Sequence, residues 1–218
     1  MIEEQIQKYC DAMSEGHHRY RSWDYCFEYF AKHQPSEFPA STDRIEASLQ
    51  LGFFLASWGM YRGRSFLLQR NYLVHWAVID EIAHPNFSEL WNQEEVEQRV
   101  FEHDSALIQK IIDAANSIRE AYQPDEVRDT LVTKIILGTF GCFPACDRYF
   151  RRGLKEKLQG SPRSFGKPLV GQIFKFCIDN KDELQGVQKR INQSLQVRYP
   201  IMKLVDMYFW QTGKDLPK

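Results

Sequence analysis

Leu137-Gly138-Thr139-Phe140-Gly141-Cys142-Phe143-Pro144-Ala145 lies between two stretches whose apolar residues recur at helical spacing, and its glycines mark a turn. The stretch reads as a helix ending at Leu137, a hairpin in which Gly138 and Gly141 permit left-handed or closely approached backbone, and a new helix from Pro144. Such a hairpin leaves amides free at a helix N-terminus, where a phosphate can sit. A helix stop followed by a helix start accounts for the same residues without any ligand.

On both sides of the hairpin the helical period continues, and no segment alternates as a strand does; the fold class is all-α, with about ten helices. Ile2, Ile6, Tyr9 and Met13 mark a first helix, and Tyr20, Trp23, Phe27 and Phe30 a second. Asp43 with Glu46 caps a third that runs to about Trp58; it is apolar nearly all round and so is expected at the centre. Gly59 and Gly63 interrupt the chain after Trp58. A long pattern from Glu94 to Tyr122 breaks near Asp104-Ser105, and Pro124-Asp125 starts the helix that leads into the hairpin. The last helices cover Leu169 to Cys177, Leu184 to Leu195, and Ile201 to Trp210 with Gly213 beyond its end. A soft boundary near Pro85 divides residues 1–218 into two interleaved lobes of a single domain.

The 218 residues are 43% apolar, enough for a sizeable core. No apolar run reaches membrane-spanning length, and Met1-Ile2-Glu3-Glu4 lacks a signal peptide's basic end, so a cytoplasmic protein with no membrane partner is expected. Five scattered cysteines have neither zinc-site spacing nor the density of a disulfide scaffold, and are expected reduced, with no metal. The sequence sets no oligomeric state. A net charge of −1 argues against a generic nucleic-acid binder, but the charges are not evenly spread. Residues 80–104 carry eight acidic side chains against Arg99 alone, whereas residues 144–167 carry seven basic ones against Asp147 and Glu156. Solvated helix faces explain either run. The basic run, however, comes directly after the hairpin, which makes Arg148, Arg151 and Arg152 candidate phosphate contacts and DNA the candidate partner.

Two blocks, Leu55-Ala56-Ser57-Trp58-Gly59-Met60-Tyr61-Arg62-Gly63 and Lys134-Ile135-Ile136-Leu137-Gly138-Thr139-Phe140-Gly141, resemble those of a group of uncharacterised bacterial proteins. Leu137, Phe140, Gly141 and Ala145 also fit the spacing of the helix-hairpin-helix DNA glycosylase superfamily, from which Gly138 and Thr139 depart. The layout is similar as well: all helical, a central helix ending in a polar turn, then a hairpin in the second half. The resemblance implies a cofactor-free enzyme that extrudes a damaged or modified base, including those of phage DNA, and breaks its N-glycosidic bond. It implies that Trp58, Met60, Tyr61 and Arg62 form the wedge and base pocket, and that Gly138 and Gly141 with the three arginines grip the DNA backbone.

That family's catalytic aspartate lies well beyond its hairpin, and no Asp occurs between Phe150 and Arg163. Asp147 is then the nearest replacement carboxylate, and Lys134 the amine that a Schiff-base branch of the family would use. Each has a plainer reading. Asp147 suits the dipole of a helix start, Lys134 the polar face of a helix bearing Leu131, Ile135 and Ile136, and Trp58 and Tyr61 the cap of a core. Two other classes stand beside the glycosylase: a non-enzymatic helical module binding DNA or protein through its basic helix, and a helical nuclease or toxin-type enzyme using His75, His84 and Arg62.

Overall fold

The computed structural model describes residues 1–14, 17–38, 40–195 and 198–217. Its elements are α1 (Ile2–Asp11), α2 (Ser22–Lys32), α3 (Ser41–Ser57), α4 (Trp76–Ile82), α5 (Gln93–Phe101), α6 (Ser105–Ala121), α7 (Asp129–Gly138), α8 (Arg148–Lys157), α9 (Lys167–Asp179), α10 (Lys181–Leu195) and α11 (Ile201–Asp215). Short 3-10 turns join several of them, and the described residues contain no strand. The protein is all-α. No helix among them is long and apolar enough to cross a membrane.

Local chemistry sets several boundaries. The long apolar pattern breaks where expected, because the Asp104 side chain accepts the Ala106 N–H and opens α6. By contrast, α7 begins at Asp129 rather than at Pro124-Asp125. Asp129 fixes that start by accepting from Arg119, Arg151 and the backbone N–H of Phe165. The third helix departs from expectation in another way: α3 buries Ala47, Leu51, Phe54 and Leu55 but turns Ile45, Leu49 and Phe53 outward, the last 62% exposed. It is a one-sided helix.

Gly213 does not lie beyond α11 but sits inside it, where α11 crosses α8. A Cβ on Gly213 would lie 1.9 Å from the Tyr149 carbonyl oxygen, and one on Gly153 1.9 Å from that of Phe209. The two glycines therefore let the helix backbones touch, and that contact brings the start of α8 against the middle of α11.

The 137–145 hairpin is buried in full. Gly141 takes φ +66, and a Cβ there would meet the Phe27 ring at 2.6 Å and Pro200 at 3.0 Å. A Cβ on Gly138 would meet the Phe54 ring at 2.6 Å. From α2, the Trp23 indole donates to the Leu137 carbonyl (2.9 Å) and the Cys26 thiol to that of Gly138 (3.4 Å). The glycines serve close packing, not an open turn.

Candidate functional site

Four chain segments converge beside the buried hairpin. Helix α7 places Thr130 and Lys134 one turn apart on one face. The segment leaving the hairpin is pinned by three bonds: Asp206 Oδ1 accepts from the Ala145 N–H (3.0 Å), Thr133 Oγ1 accepts from the Cys146 N–H (2.8 Å), and the Thr130 hydroxyl donates to the Cys146 carbonyl (3.0 Å). It delivers Asp147 to the N-cap of α8. Helix α11 supplies Trp210, and the end of α3, turned at Gly59 (φ +73), supplies Trp58, Met60 and Arg62. Together with Arg19, Arg148 and Tyr149 these residues enclose a cleft of about 460 Å³.

Asp147 is the hub of the cleft. Its Oδ1 accepts from the backbone N–H groups of Tyr149 and Phe150, both at 3.0 Å, and so caps α8. Its Oδ2 accepts from the Lys134 ammonium at 3.4 Å and the Trp210 indole N–H at 3.1 Å. Lys134 is only 3% exposed, and the carboxylate is what lets its charge be buried there. The ammonium also lies 4.7 Å from the centre of the Trp58 ring. Trp58 meets Trp210 edge-on at 5.8 Å, Trp210 meets Tyr149 at 5.2 Å, and the Arg19 guanidinium covers Trp58 at 5.3 Å. The Trp58 indole N–H is buried and has no acceptor among the described residues.

Directly behind lies a second pair. The Lys203 ammonium bonds Asp206 Oδ2 and the Tyr9 hydroxyl, both at 3.3 Å, and lies 4.8 Å from the Trp23 ring centre. Burial draws the Lys203 ammonium below its ordinary pKa and pushes the Asp206 carboxyl up, while the attraction between them opposes both shifts. A void of about 10 Å³ between Trp23, Trp58 and Trp210 touches all four charged side chains.

Of the sequence candidates, Trp58, Met60, Arg62, Lys134, Asp147 and Arg148 line one cleft. The others do not. Tyr61 turns its hydroxyl inward to His75 Nε2 at 2.6 Å, so it is no part of this wall. Gly138 and Gly141 are sealed under Phe54, Phe27 and Pro200, and the amides expected to hold phosphate are spent on Asp206, Thr133 and Asp147. The phosphate seat at the hairpin is thus closed. Arg151 is drawn to Asp129 and the Cys146 carbonyl, and Arg152 to the carbonyls of Leu216 and Pro217, so neither points into the cleft.

The histidine cluster also dissolves. His75 is fully buried between the Tyr61 and Tyr122 hydroxyls, and burial takes its pKa down to about 4; His84 caps the turn that begins at Pro85. Sequence reasoning missed Arg19, Thr130, Tyr149, Trp210 and the Lys203–Asp206 pair. The last carried a signal: a lysine and an aspartate three apart inside the apolar run from Ile201 to Trp210, which brings both onto one face of a buried helix. Together these parts define an all-helical protein with an arginine-rimmed, tryptophan-walled cleft over a buried Lys–Asp pair. No family model, curated protein or solved structure matches this chain.

Proposed function

We propose that the cleft receives an extruded base and its sugar phosphate, and that the protein is a DNA glycosylase-like enzyme acting on the N-glycosidic bond of a damaged or modified nucleotide. The observation that carries this reading is the Lys134–Asp147 pair set among Trp58, Tyr149 and Trp210 beneath Arg19, Arg62 and Arg148. The partly exposed Trp58 and Tyr149 rings offer aromatic surface to a flat base, with Trp58 backed by the stacked Tyr20 ring at 5.3 Å and Trp210 buried behind, and guanidinium groups suit the phosphate beside it.

Bond cleavage develops positive charge on the sugar, and a fixed carboxylate stabilises it. Four donors already converge on Asp147, so it acts through its charge rather than by accepting a proton, and water completes the hydrolysis. Lys134 holds that carboxylate in place; as a nucleophile it would first have to surrender its proton. The buried hairpin withdraws one support for the glycosylase reading and leaves the cleft as the other.

The test is base release and abasic-site formation on oligonucleotides carrying damaged or phage-type modified bases. Asp147→Asn is expected to slow release by about a hundredfold or more with substrate binding retained. Unchanged release in that variant removes Asp147 from the chemistry. No release by the unaltered protein on any substrate, together with retained binding, leaves the cleft as the site of a non-enzymatic binding module.

A further inference from the structure

A second cleft of about 460 Å³ adjoins the first, and Met60, Arg62 and Thr130 belong to both walls. Its own lining adds Arg64, Arg128, Ser65 and Phe66, with Glu126 as its one carboxylate among the described residues. The arginines of this protein divide in a telling way. Arg21, Arg44, Arg70, Arg99, Arg119, Arg151, Arg190 and Arg198 each face a carboxylate, and Arg152 is held by two carbonyls. Among the described residues Arg19, Arg62, Arg64, Arg128 and Arg148 have no carboxylate at ion-pair distance, and all five line the two clefts. Arg163 is the remaining one, in a separate depression beside Lys155 and Pro162.

Five guanidinium groups against two lining carboxylates, Glu126 and the Lys134-paired Asp147, leave a net positive charge in the clefts, and an anion spanning the arginines relieves their repulsion. Either cleft alone has the size that takes one small-molecule-sized unit. Two adjoining clefts that share Arg62 match at least two linked nucleotides, and the partly exposed Phe66 ring offers a further aromatic surface.

We propose that the two clefts form one track for an unpaired phosphodiester strand: one base lies at the Trp58–Trp210 wall, and the neighbouring phosphates cross Arg62, Arg64 and Arg128. This rests on reading the first cleft as a base site. With the hairpin buried, the track takes over the backbone contact that the sequence had assigned to Gly138 and Gly141.

Binding of a mononucleotide, of single-stranded DNA and RNA oligonucleotides and of heparin, measured by competition at several salt concentrations, tests it. The unaltered protein is expected to bind oligonucleotides more tightly than the mononucleotide. Arg64→Ala combined with Arg128→Ala, both exposed side chains, is expected to lower oligonucleotide affinity about tenfold and to flatten the salt slope by about 0.7 per arginine removed. Mononucleotide binding should not change in that variant. Oligonucleotide affinity and slope unaltered by the double change overturn the track while leaving the base site standing. Heparin binding as tightly as the oligonucleotides overturns strand recognition in favour of a general polyanion surface. Binding of neither nucleotide nor oligonucleotide overturns the base-site reading and the track with it.

Discussion

Gly153 of α8 and Gly213 of α11 face each other across a backbone-to-backbone contact, and that contact is what brings Trp210 within hydrogen-bonding distance of Asp147. Gly213→Ala forces a methyl group to within 1.9 Å of the Tyr149 carbonyl oxygen. The expected result is a loss of about 3 kcal/mol in unfolding free energy, read from the denaturant midpoint, as the helices separate. Intrinsic helix propensity would push the other way, favouring Ala over Gly by about 1 kcal/mol, so a stabilised variant would show that the helices are not in contact.

Lys203 and Asp206 make a buried ion pair whose halves are costly apart. Lys203→Met strands the Asp206 carboxylate among Trp23, Trp58 and Trp210, and a destabilisation of about 3–5 kcal/mol is expected. Lys203→Met with Asp206→Asn should recover part of that loss, since no lone charge remains buried. A double variant as unstable as the sum of the two single ones would mean the charges do not interact.

His75 makes stability depend on acid. Its folded pKa of about 4 lies below the ordinary value near 6.5, so between these limits the unfolded chain binds the proton more readily. The contribution is fully present above pH 6.5 and is lost as pH falls toward 4, amounting to about 3 kcal/mol. Protonation also makes both ring nitrogens donors, so the tyrosine hydroxyl that was donating must turn and accept instead. Urea midpoints across this range should fall for the unaltered protein and stay flatter for His75→Gln; parallel curves would assign the acid sensitivity elsewhere.

The two faces of α3 should respond differently. Leu51→Ala, in the core, is expected to cost about 2–5 kcal/mol, whereas Phe53→Lys on the exposed face should change stability by less than about 0.5 kcal/mol. Thermal midpoints distinguish them, and equal losses would place Phe53 in a packed environment.

Helix starts were legible where a residue announces itself, as Asp104 does before Ser105, because a cap is a local interaction. The turn at Trp58 was legible through Gly59 for the same reason: its positive φ is a property of a few consecutive residues. The burial of the hairpin was not legible, because what decides it lies far off in the chain. Phe27 and Pro200 seal Gly141, and Trp23 reaches Leu137 across 114 residues. Glycine spacing looks the same whether it opens a backbone to phosphate or lets a ring press against it. Trp210 and Arg19 were missed on similar grounds, since each enters the cleft from near one end of the chain and carries no local mark of doing so. For α3, composition could not separate a helix buried all round from one with a bare apolar face.

Asp147 serves three helices at once: it starts α8, holds the lysine of α7 and anchors the tryptophan of α11. Inheritance should therefore treat these residues as a set. A descendant that loses the carboxylate leaves a helix uncapped, an ammonium stranded and an indole unmatched in a single step. Lineages descending from this sequence are expected to keep Lys134, Asp147 and Trp210 together or to replace them together, whichever base or strand the cleft has come to accept.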